Sequence, residues 1–302
     1  MCGIVGLFAK TPEVEANLGA LLAPMLHEMG DRGPDSAGVA FYRDPAASGH
    51  TKLTLQHDDP AYDWKELRGG LKEALGADKR IGRRGNHAVV VAHASADRAE
   101  AWVEEFHPDV KVMSAGEAIE IYKEVGRPEA FIEAFDVASL NGTHALGHTR
   151  MATESKVTTA GSHPFSTGLD LCLVHNGSLS NHNGLRRMLR KEGIRFQTLN
   201  DTEVAAGYMM WRQREGATLE QTIDGCLEDL DGFYTFLIGT REGFAVVRDP
   251  IACKPAVLAE SDDWVAMSSE YRAIATLPGA ERARTWEPAP ATIYAWEKEA
   301  VR

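Results

Sequence analysis

The chain has 302 residues, 44% of them hydrophobic and 25% charged, which is enough to bury the core of one large domain or two small ones. Its formal net charge is −12, and this acidity disfavours binding to nucleic acid or to an anionic membrane surface. No apolar run reaches the length of a transmembrane helix, and we expect no signal peptide, because the N-terminus lacks the charged and apolar regions of one.

Four cysteines are scattered along the chain without CxxC spacing. They are Cys2, Cys172, Cys226 and Cys253. This distribution disfavours a zinc site and a disulfide framework, and it suits a reducing compartment. We therefore expect no metal site and a cytoplasmic location.

Hydrophobic periodicity predicts a strand over residues 3–8, then an amphipathic helix, and then a second strand over residues 37–42. Apolar side chains at helical spacing mark the helix: Leu18, Leu21, Leu22, Met25, Leu26 and Met29. Residues 31–36, before the second strand, have the composition of a turn.

The region from about residue 58 to residue 141 alternates between predicted helices and strands. In order, we predict a charged helix over 64–75, a strand over 88–92, a helix over 98–106, a short strand over 110–113 and two more helical stretches. Such alternation is typical of a small α/β unit. We predict one domain over residues 1–302 that carries an inserted α/β lobe at about 58–141.

Further strands and helices follow the lobe. We predict strands over 144–150 and 171–176, helices over 181–192 and 201–214 and from Thr218, and strands over 233–239, 244–248, 256–259 and 264–268. Thr218 and Gln221 form a Thr-x-x-Gln capping box. The close spacing of the last four strands suggests one antiparallel sheet.

Strands followed by a block of helices and then by strands favour an α+β layered sandwich over a doubly wound parallel sheet. GxGxxG and GxxxxGK[ST] loops are missing from the sequence, so it lacks the fingerprints of nucleotide binding.

Cys2 follows the initiator Met1, and removal of Met1 would leave a thiol and a free α-amine on one residue. The α-amine has a reference pKa of about 7.7–8.0, so it can serve as the base that activates its own thiol. The alternative is an inert small hydrophobe, which is the usual role of a buried cysteine.

His175-Asn176-Gly177 ends a predicted apolar strand. The amide of Asn176 and the backbone N–H of Gly177 make a plausible oxyanion hole, since glycine permits close backbone approach. The alternative is an ordinary Asn-Gly hairpin turn.

Two charged residues are suited to bind the two charges of an α-amino acid. Arg150 ends the predicted strand over 144–150, where a guanidinium could clamp a carboxylate, although a surface ion pair is the commoner role. Asp201 starts a predicted helix and could bind an ammonium group, although an N-cap would explain it equally well.

In this order, the motifs resemble those of the class II glutamine amidotransferases, which are N-terminal-nucleophile hydrolases. The resemblance covers nearly the whole chain apart from the predicted lobe, and it implies a four-layer αββα sandwich. The matching stretches are Met1-Cys2-Gly3-Ile4-Val5-Gly6, Arg32-Gly33-Pro34-Asp35-Ser36-Ala37-Gly38, Gly147-His148-Thr149-Arg150-Met151-Ala152-Thr153, His175-Asn176-Gly177, Asp201-Thr202-Glu203, and Arg248-Asp249-Pro250 through Lys254-Pro255.

The resemblance implies a role for each candidate residue. Cys2 would be the nucleophile with its α-amine as base, and Asn176 and Gly177 would form the oxyanion hole. Arg150 and Asp201 would bind the α-carboxylate and α-amino group of L-glutamine. Arg32 and Gly33 would line the substrate site. Thr149, Thr153 and His175 would support the site, and Thr153 would also bind substrate.

The sequence departs from the family pattern at Met151, where many members carry Trp, at Glu154-Ser155, where they carry His-Gly, and at Ala252, where Gly is usual. These changes affect the entrance loop and the subclass rather than the nucleophile. The long separation of Arg32 from Arg150 resembles the stand-alone amidotransferase subunits of split glutamate-synthase-like complexes, such as N-methylglutamate synthase of methylamine-using bacteria.

The chain ends soon after the last matching stretch, so we expect the domain that accepts ammonia to belong to a partner. The leading hypothesis is a glutaminase subunit of a flavin-dependent synthase, with FMN in the partner subunit and no cofactor in this chain. One alternative is a free-standing amide or γ-glutamyl hydrolase that is fully active alone. Another is a non-catalytic assembly subunit, for which retention of Met1 would deprive Cys2 of its base.

Overall fold

The structure is a computed structural model that describes residues 2–152 and 157–298, and three β-sheets lie within them. The strands are β1 (Gly3–Ala9), β2 (Ser36–Tyr42), β3 (Thr51–Gln56), β4 (Gly82–Arg84), β5 (His87–Ala92), β6 (Lys111–Gly116), β7 (Ile119–Val125), β8 (His144–Arg150), β9 (Phe165–Gly168), β10 (Leu171–Leu179), β11 (Gly232–Gly239), β12 (Gly243–Arg248), β13 (Val257–Glu260), β14 (Trp264–Ser268), β15 (Arg284–Trp286) and β16 (Tyr294–Glu297). The helices are α1 (Pro12–Ala16), α2 (Leu18–Glu28), α3 (Trp64–Leu75), α4 (Ala96–Phe106), α5 (Pro128–Ala134), α6 (His182–Lys191), α7 (Asp201–Arg214), α8 (Leu219–Asp229) and α9 (Tyr271–Ile274).

The two large sheets stack face to face, and helices cover their outer faces. The seven-stranded sheet has the order β15-β13-β14-β1-β8-β2-β7, and the five-stranded sheet has the order β16-β12-β11-β10-β9. Helices α2, α5 and α9 share a hydrophobic core with the first sheet, and α6, α7 and α8 share one with the second. A third core fills the space between the sheets. The predicted α+β sandwich with four αββα layers is confirmed.

Capping residues set the starts of the helices beside the second sheet. The side chain of Asn200 caps α7 by accepting from the backbone N–H of Thr202 at 2.9 Å. The predicted capping box of Thr218 and Gln221 is present at the start of α8. No helix in residues 2–152 or 157–298 has the length and apolarity to cross a membrane.

A four-stranded sheet of order β4-β5-β3-β6 forms the lobe with helices α3 and α4, around its own hydrophobic core. This unit spans residues 51–116, so it begins and ends earlier than the range of about 58–141 predicted from the sequence. After residue 113 the structure has the predicted helical stretches, α5 and a 3-10 turn over Val137–Ser139, but also a strand that the sequence analysis did not predict, because Ile119–Val125 forms β7 and pairs with β2. Its alternating apolar residues, Ile119 and Ile121, pack into the core between the sheets.

The prediction of one antiparallel sheet for the four strands over 233–268 is wrong. Strands β11 and β12 pair in the five-stranded sheet, whereas β13 and β14 pair in the seven-stranded sheet. The chain passes between the sheets just after Arg248, whose guanidinium donates to the backbone carbonyls of Ala252 and Lys254. These bonds fold the connection tightly and allow adjacent strands in the sequence to enter different layers.

Asp170 ties the lobe to the sandwich. It lies between β9 and β10, and its buried carboxylate accepts from the backbone N–H groups of Glu117, Ala118 and Ile119 at 2.7–2.9 Å. Glu117 and Ala118 form the turn from β6 of the lobe to β7 of the seven-stranded sheet, and Ile119 is the first residue of β7. A carboxylate with three backbone donors is well compensated for its burial.

Candidate active site

Side-chain alternation directs three predicted site residues into the space between the two large sheets. Cys2, Arg150 and Asn176 lie two or four positions along a strand direction from residues of the core between the sheets. Those core residues are Ile4, Leu146 and Val174. Gly3 pairs with Thr149, so Cys2 and Arg150 lie at the same end of neighbouring strands, and β1 contacts β10 across the layers.

Arg32 holds the backbone of Cys2. Its Nε donates to the carbonyl oxygen of Cys2 at 2.9 Å, and its Nη1 forms an ion pair with the carboxylate of Glu270. The hydrogen bond from Arg32 is the main cause that lowers the pKa of Glu270. The thiol of Cys2 is 3.9 Å from the carbonyl oxygen of Met151. Arg32 therefore contacts Cys2 directly.

Gly33 permits the close approach of this turn to β8. A Cβ atom at Gly33 would lie 2.3 Å from the carbonyl carbon of Thr149 and 2.4 Å from the backbone nitrogen of Arg150. The hydroxyl of Thr149 donates to the carbonyl of Met29 at 2.8 Å and so fastens the same turn. The structure brings Cys2, Arg32, Gly33 and Arg150 together.

Asn176 and Gly177 lie inside a strand pair rather than in a hairpin turn. Asn176 pairs with Thr235 and Gly177 with Tyr234, which rules out the Asn-Gly turn. Gly177 has a φ of +152°, and a Cβ there would lie 2.0 Å from the carbonyl oxygen of Phe233. The amide nitrogen of Asn176 is buried and has no hydrogen-bond partner among the described residues. This arrangement offers an amide donor to a ligand.

Three histidines pack behind Asn176. His148 donates from Nε2 to the carbonyl oxygen of His175 at 3.0 Å, and its ring lies 3.9 Å from that of His163. The hydroxyl of Thr202 lies 2.9 Å from Nδ1 of His175 and 3.0 Å from Nε2 of His163. Burial lowers the pKa of all three, that of His148 to about 3, so they are neutral at cellular pH. The cluster fixes the strand that carries Asn176.

Asp201 is the first residue of α7 rather than its N-cap, which is Asn200. One carboxylate oxygen accepts from the backbone N–H of Leu179 at 2.9 Å, and the other lies 3.9 Å from Nδ1 of His175. The side chain is 23% exposed. Asp201 thus joins α7 to the end of β10 while keeping contact with solvent.

Arg150 is buried at the end of β8, so the alternative of a surface ion pair does not fit it. Its Nη1 donates to the carbonyl oxygen of Gly161 at 3.1 Å. Asn200, next to Asp201, lies against the same carbonyl at 3.4 Å. Gly161 therefore links Arg150 to Asn200, the residue that precedes Asp201.

Three residues at this end of the sheet were not found from the sequence. Asp35 accepts from the backbone N–H of Ala152 at 2.7 Å, and Ser269 accepts from that of Ile4 at 3.0 Å. Glu270 is the third, through Arg32. The polar run Ser268-Ser269-Glu270 at the end of a buried strand is the sequence signal that could have identified Ser269 and Glu270.

Thr153, predicted to bind substrate, lies outside the described residues. Within the described ranges, no group of three or more His, Cys, Asp and Glu side chains is arranged to hold a metal ion. A cavity of about 600 Å³ lies at the junction of the lobe with the sandwich, where His50, Ser95, Asp170 and Arg241 line it. None of the predicted site residues lines that cavity.

Known proteins are similar to this chain in sequence and in fold. Residues 148–276 match the family described as "Glutamine amidotransferase domain". The "Glutamine amidotransferase-like protein GlxB" of Rhizobium meliloti is 56% identical over 300 residues, which are 99% of each chain. A "Putative glutamine amidotransferase" of Methanothermobacter thermautotrophicus is 29% identical over 97% of this chain and 99% of its own.

Among solved structures, a glutamine phosphoribosylpyrophosphate amidotransferase from B. subtilis has a TM-score of 0.62 and 20% identity. The match covers 98% of this chain and 47% of that one. This likeness shows that the chain shares the fold of that amidotransferase.

Proposed function

The chain belongs to the glutamine amidotransferase family, and from this premise we propose that it hydrolyses L-glutamine with Cys2 and delivers the ammonia to a flavin-dependent synthase subunit. One observation carries the catalytic part of the proposal. Cys2, at the end of the central strand, faces the same space as Arg150 and the unpartnered amide of Asn176. A nucleophile, an oxyanion donor and a cation for a carboxylate then share one site.

The proposed reaction begins after removal of Met1. The α-amine of Cys2 takes the thiol proton, and Sγ attacks the side-chain amide carbon of glutamine. The amide of Asn176 and the backbone N–H of Gly177 stabilise the oxyanion. The α-ammonium returns its proton to the leaving nitrogen, which departs as ammonia. Water then hydrolyses the γ-glutamyl thioester to glutamate and restores the thiol.

Recognition of glutamine rests on its two backbone charges. The guanidinium of Arg150 is suited to the α-carboxylate, since a planar fork can bind both carboxylate oxygens. The exposed edge of Asp201 is suited to the α-ammonium. Because the carbonyl of Gly161 accepts from Arg150 and from Asn200, the residue before Asp201, the protein ties Arg150 to the start of α7 before substrate binds.

Apolar side chains beside the site support a protein partner. Three of the described large hydrophobic residues that are exposed lie next to site residues in the sequence or in the sheet, with exposures of 38–42%. They are Met151, Phe233 and Tyr271. Free ammonia in water becomes ammonium and loses its nucleophilicity, so a partner that covers this end of the sheet would protect it. We propose that the partner carries FMN, as in N-methylglutamate synthase.

The test compares Cys2→Ala with the wild-type protein, after intact-mass measurement has shown whether Met1 is removed. We expect Cys2→Ala to fold and assemble normally but to lose glutamine hydrolysis. Cys253→Ala, which changes an exposed thiol, is the control and should keep full activity. Activity of Cys2→Ala within a few-fold of wild type would remove Cys2 from the mechanism.

Fractionation of native extract by size tests the partnership. We expect the chain in a large complex with flavin absorbance, and little glutaminase activity in the isolated chain. An active peak at monomer or dimer mass alone would favour the free-standing hydrolase. A flavin-containing complex without glutaminase activity, or a chain that retains Met1, would favour the non-catalytic assembly subunit.

A further inference from the structure

Lys123 places a buried ammonium group on β7, the strand that returns from the lobe to the seven-stranded sheet. Its side chain is almost completely buried. Nζ donates to three backbone carbonyls, those of Ala160 at 3.2 Å, Ser162 at 2.9 Å and Pro164 at 3.2 Å. The ring of Phe165 lies below it, with 4.6 Å from Nζ to the ring centroid. All three N–H bonds of the ammonium therefore have acceptors.

These carbonyls alternate along one short segment, residues 158–164, which lies before β9. The segment folds as a turn, closed by a hydrogen bond from the backbone N–H of Ser162 to the carbonyl oxygen of Thr159 at 3.1 Å, and the other buried carbonyls of such a turn need donors from outside it. Lys123 satisfies them here with a single side chain. The next residue on β7, Glu124, accepts a hydrogen bond from the hydroxyl of Thr159 and so holds the same segment.

The segment forms a wall of the candidate active site. The carbonyl of Gly161, between two of the carbonyls bound by Lys123, accepts from Arg150 at 3.1 Å. It also accepts from Asn200, the N-cap of the helix that starts with Asp201, at 3.4 Å. One fixed carbonyl thus contacts the structure around both proposed charge-binding residues.

Burial of a lysine is costly, and burial lowers the pKa of Lys123 to about 7. A packed apolar side chain would serve the core with less cost. An apolar side chain would not make the three hydrogen bonds to residues 160–164. Packing alone does not explain these bonds, whereas a role in positioning the segment does.

We propose that Lys123 is a positioning residue that fixes the Gly161 carbonyl, and through it the Arg150 guanidinium, for binding the α-carboxylate of glutamine. This inference rests on the proposed glutaminase function. It assigns to β7, outside the motifs that identify the family, a part in substrate affinity rather than in the chemical step.

The test is Lys123→Met, which keeps the length of the side chain and removes the ammonium. The full chain is used, in its native complex if it has one, and KM and kcat for glutamine are measured with the melting temperature. We expect KM to rise about tenfold or more, the effect of losing one hydrogen bond to a charged group, and kcat to change less than threefold.

Lys52→Met is the matched control. Lys52 is also a buried lysine; it donates to the carbonyl of Arg43 at 2.6 Å and pairs with Glu120 at 3.1 Å, within the lobe and its border. Its replacement should lower the melting temperature at least as much as Lys123→Met while leaving KM unchanged. Equal increases in KM for both variants, or no increase for a folded Lys123→Met, would overturn the inference.

Thr159→Val provides a second route if Lys123→Met does not fold. It removes only the hydrogen bond to Glu124 and should raise KM by a smaller factor, about threefold. An unchanged KM would then overturn the inference.

Calorimetric titration of Cys2→Ala with glutamine distinguishes failure of the proposed glutaminase function from failure of the proposed role of Lys123. Failure to bind glutamine at all overturns the proposed function as well, whereas equal binding by Cys2→Ala and Cys2→Ala/Lys123→Met overturns only the role of Lys123.

Discussion

Arg32 donates from Nε to the carbonyl oxygen of Cys2 at 2.9 Å while its other end is ion-paired with Glu270. The bond fixes the backbone of the residue that carries the thiol and, in the proposed mechanism, also the α-amine. A nucleophile whose base is its own amine needs the two groups in a set relative position, because proton transfer and attack depend on distance and angle. The contacts from Glu270 through Arg32 to Cys2 provide that restraint.

Glu270→Gln should therefore lower kcat for glutamine hydrolysis about tenfold, with KM changed less than threefold, because the restraint acts on the nucleophile. Steady-state kinetics measure both constants. The control is Glu260→Gln, which breaks the ion pair to Lys10 on the same sheet, 2.6 Å long and away from Cys2. If Glu270→Gln raises KM and spares kcat, Arg32 acts on the substrate rather than on Cys2.

Gly177→Ala should destabilise the protein by at least about 2 kcal/mol and remove activity. The added Cβ would lie 2.0 Å from the carbonyl oxygen of Phe233, at a φ of +152° that side chains rarely adopt. Urea unfolding and glutaminase assays measure the two effects. Gly184→Ala, in helix α6 with no atom near the new Cβ, should be neutral or slightly stabilising. A stable and active Gly177→Ala protein would show that the backbone of β10 at residue 177 has a conformation other than the one described here.

Acid should destabilise the protein between about pH 6.5 and pH 3. Burial lowers the pKa of His87, His144 and His148 to about 3, so in this window the unfolded state binds more protons than the folded state. Their contribution to stability is complete above pH 6.5 and is lost as the pH falls towards 3. Each such histidine contributes a slope of about 1.4 kcal/mol per pH unit within the window.

His144→Gln tests this slope away from the active site. His144 donates to the carbonyl of Thr240 at 2.9 Å, a bond that a glutamine amide can replace. Urea unfolding at pH 7.5, 6.0 and 5.0 measures how the free energy of unfolding depends on pH. In His144→Gln this dependence should be shallower than in wild type, corresponding to about one proton fewer taken up on unfolding. His27→Gln, which changes an exposed histidine, should leave the dependence unchanged. Identical slopes for His144→Gln and wild type would mean that His144 is charged in the folded protein.

The local elements of the fold follow from the sequence because their signals are local. The apolar stripe of α2 and the capping box at Thr218 each lie within a few residues, and both predictions are confirmed. β7 was missed because its seven residues include Glu120, Lys123 and Glu124, whose burial or pairing depends on β3, β2 and the 158–164 segment. The division of β12 and β13 between two sheets is likewise set by contacts between layers.

The candidate site shows the same limit. The motifs identify Cys2, Arg150 and Asn176 one by one, and only the pairing of β1 with β8 and the contact of β1 with β10 bring them to one space. Glu270 is 238 residues from Arg32 in the sequence, so no local pattern connects them. Asp and Asn are both favoured at the N-cap of a helix, so the sequence Asn200-Asp201 does not show which of the two caps α7. In the structure Asn200 is the N-cap and Asp201 is the first helical residue.

Arg150→Ala and Asp201→Asn should each weaken glutamine binding, by about 2–5 kcal/mol where the lost partner leaves a desolvated charge. Asp201→Asn is the cleaner change, because an amide oxygen can still accept from the backbone N–H of Leu179 and the fold should be kept.

KM measures the loss of glutamine binding, and glutamine analogues identify which of the two substrate charges each residue binds. An analogue without the α-amino group should bind wild type and Asp201→Asn equally, whereas an analogue without the α-carboxylate should bind wild type and Arg150→Ala equally. Unchanged KM in both variants would leave Asp201 as a link between α7 and β10 and Arg150 as a structural partner of Gly161. A loss in which both analogues still distinguish each variant from wild type would mean that the substitutions disturb the site as a whole rather than remove one charge each.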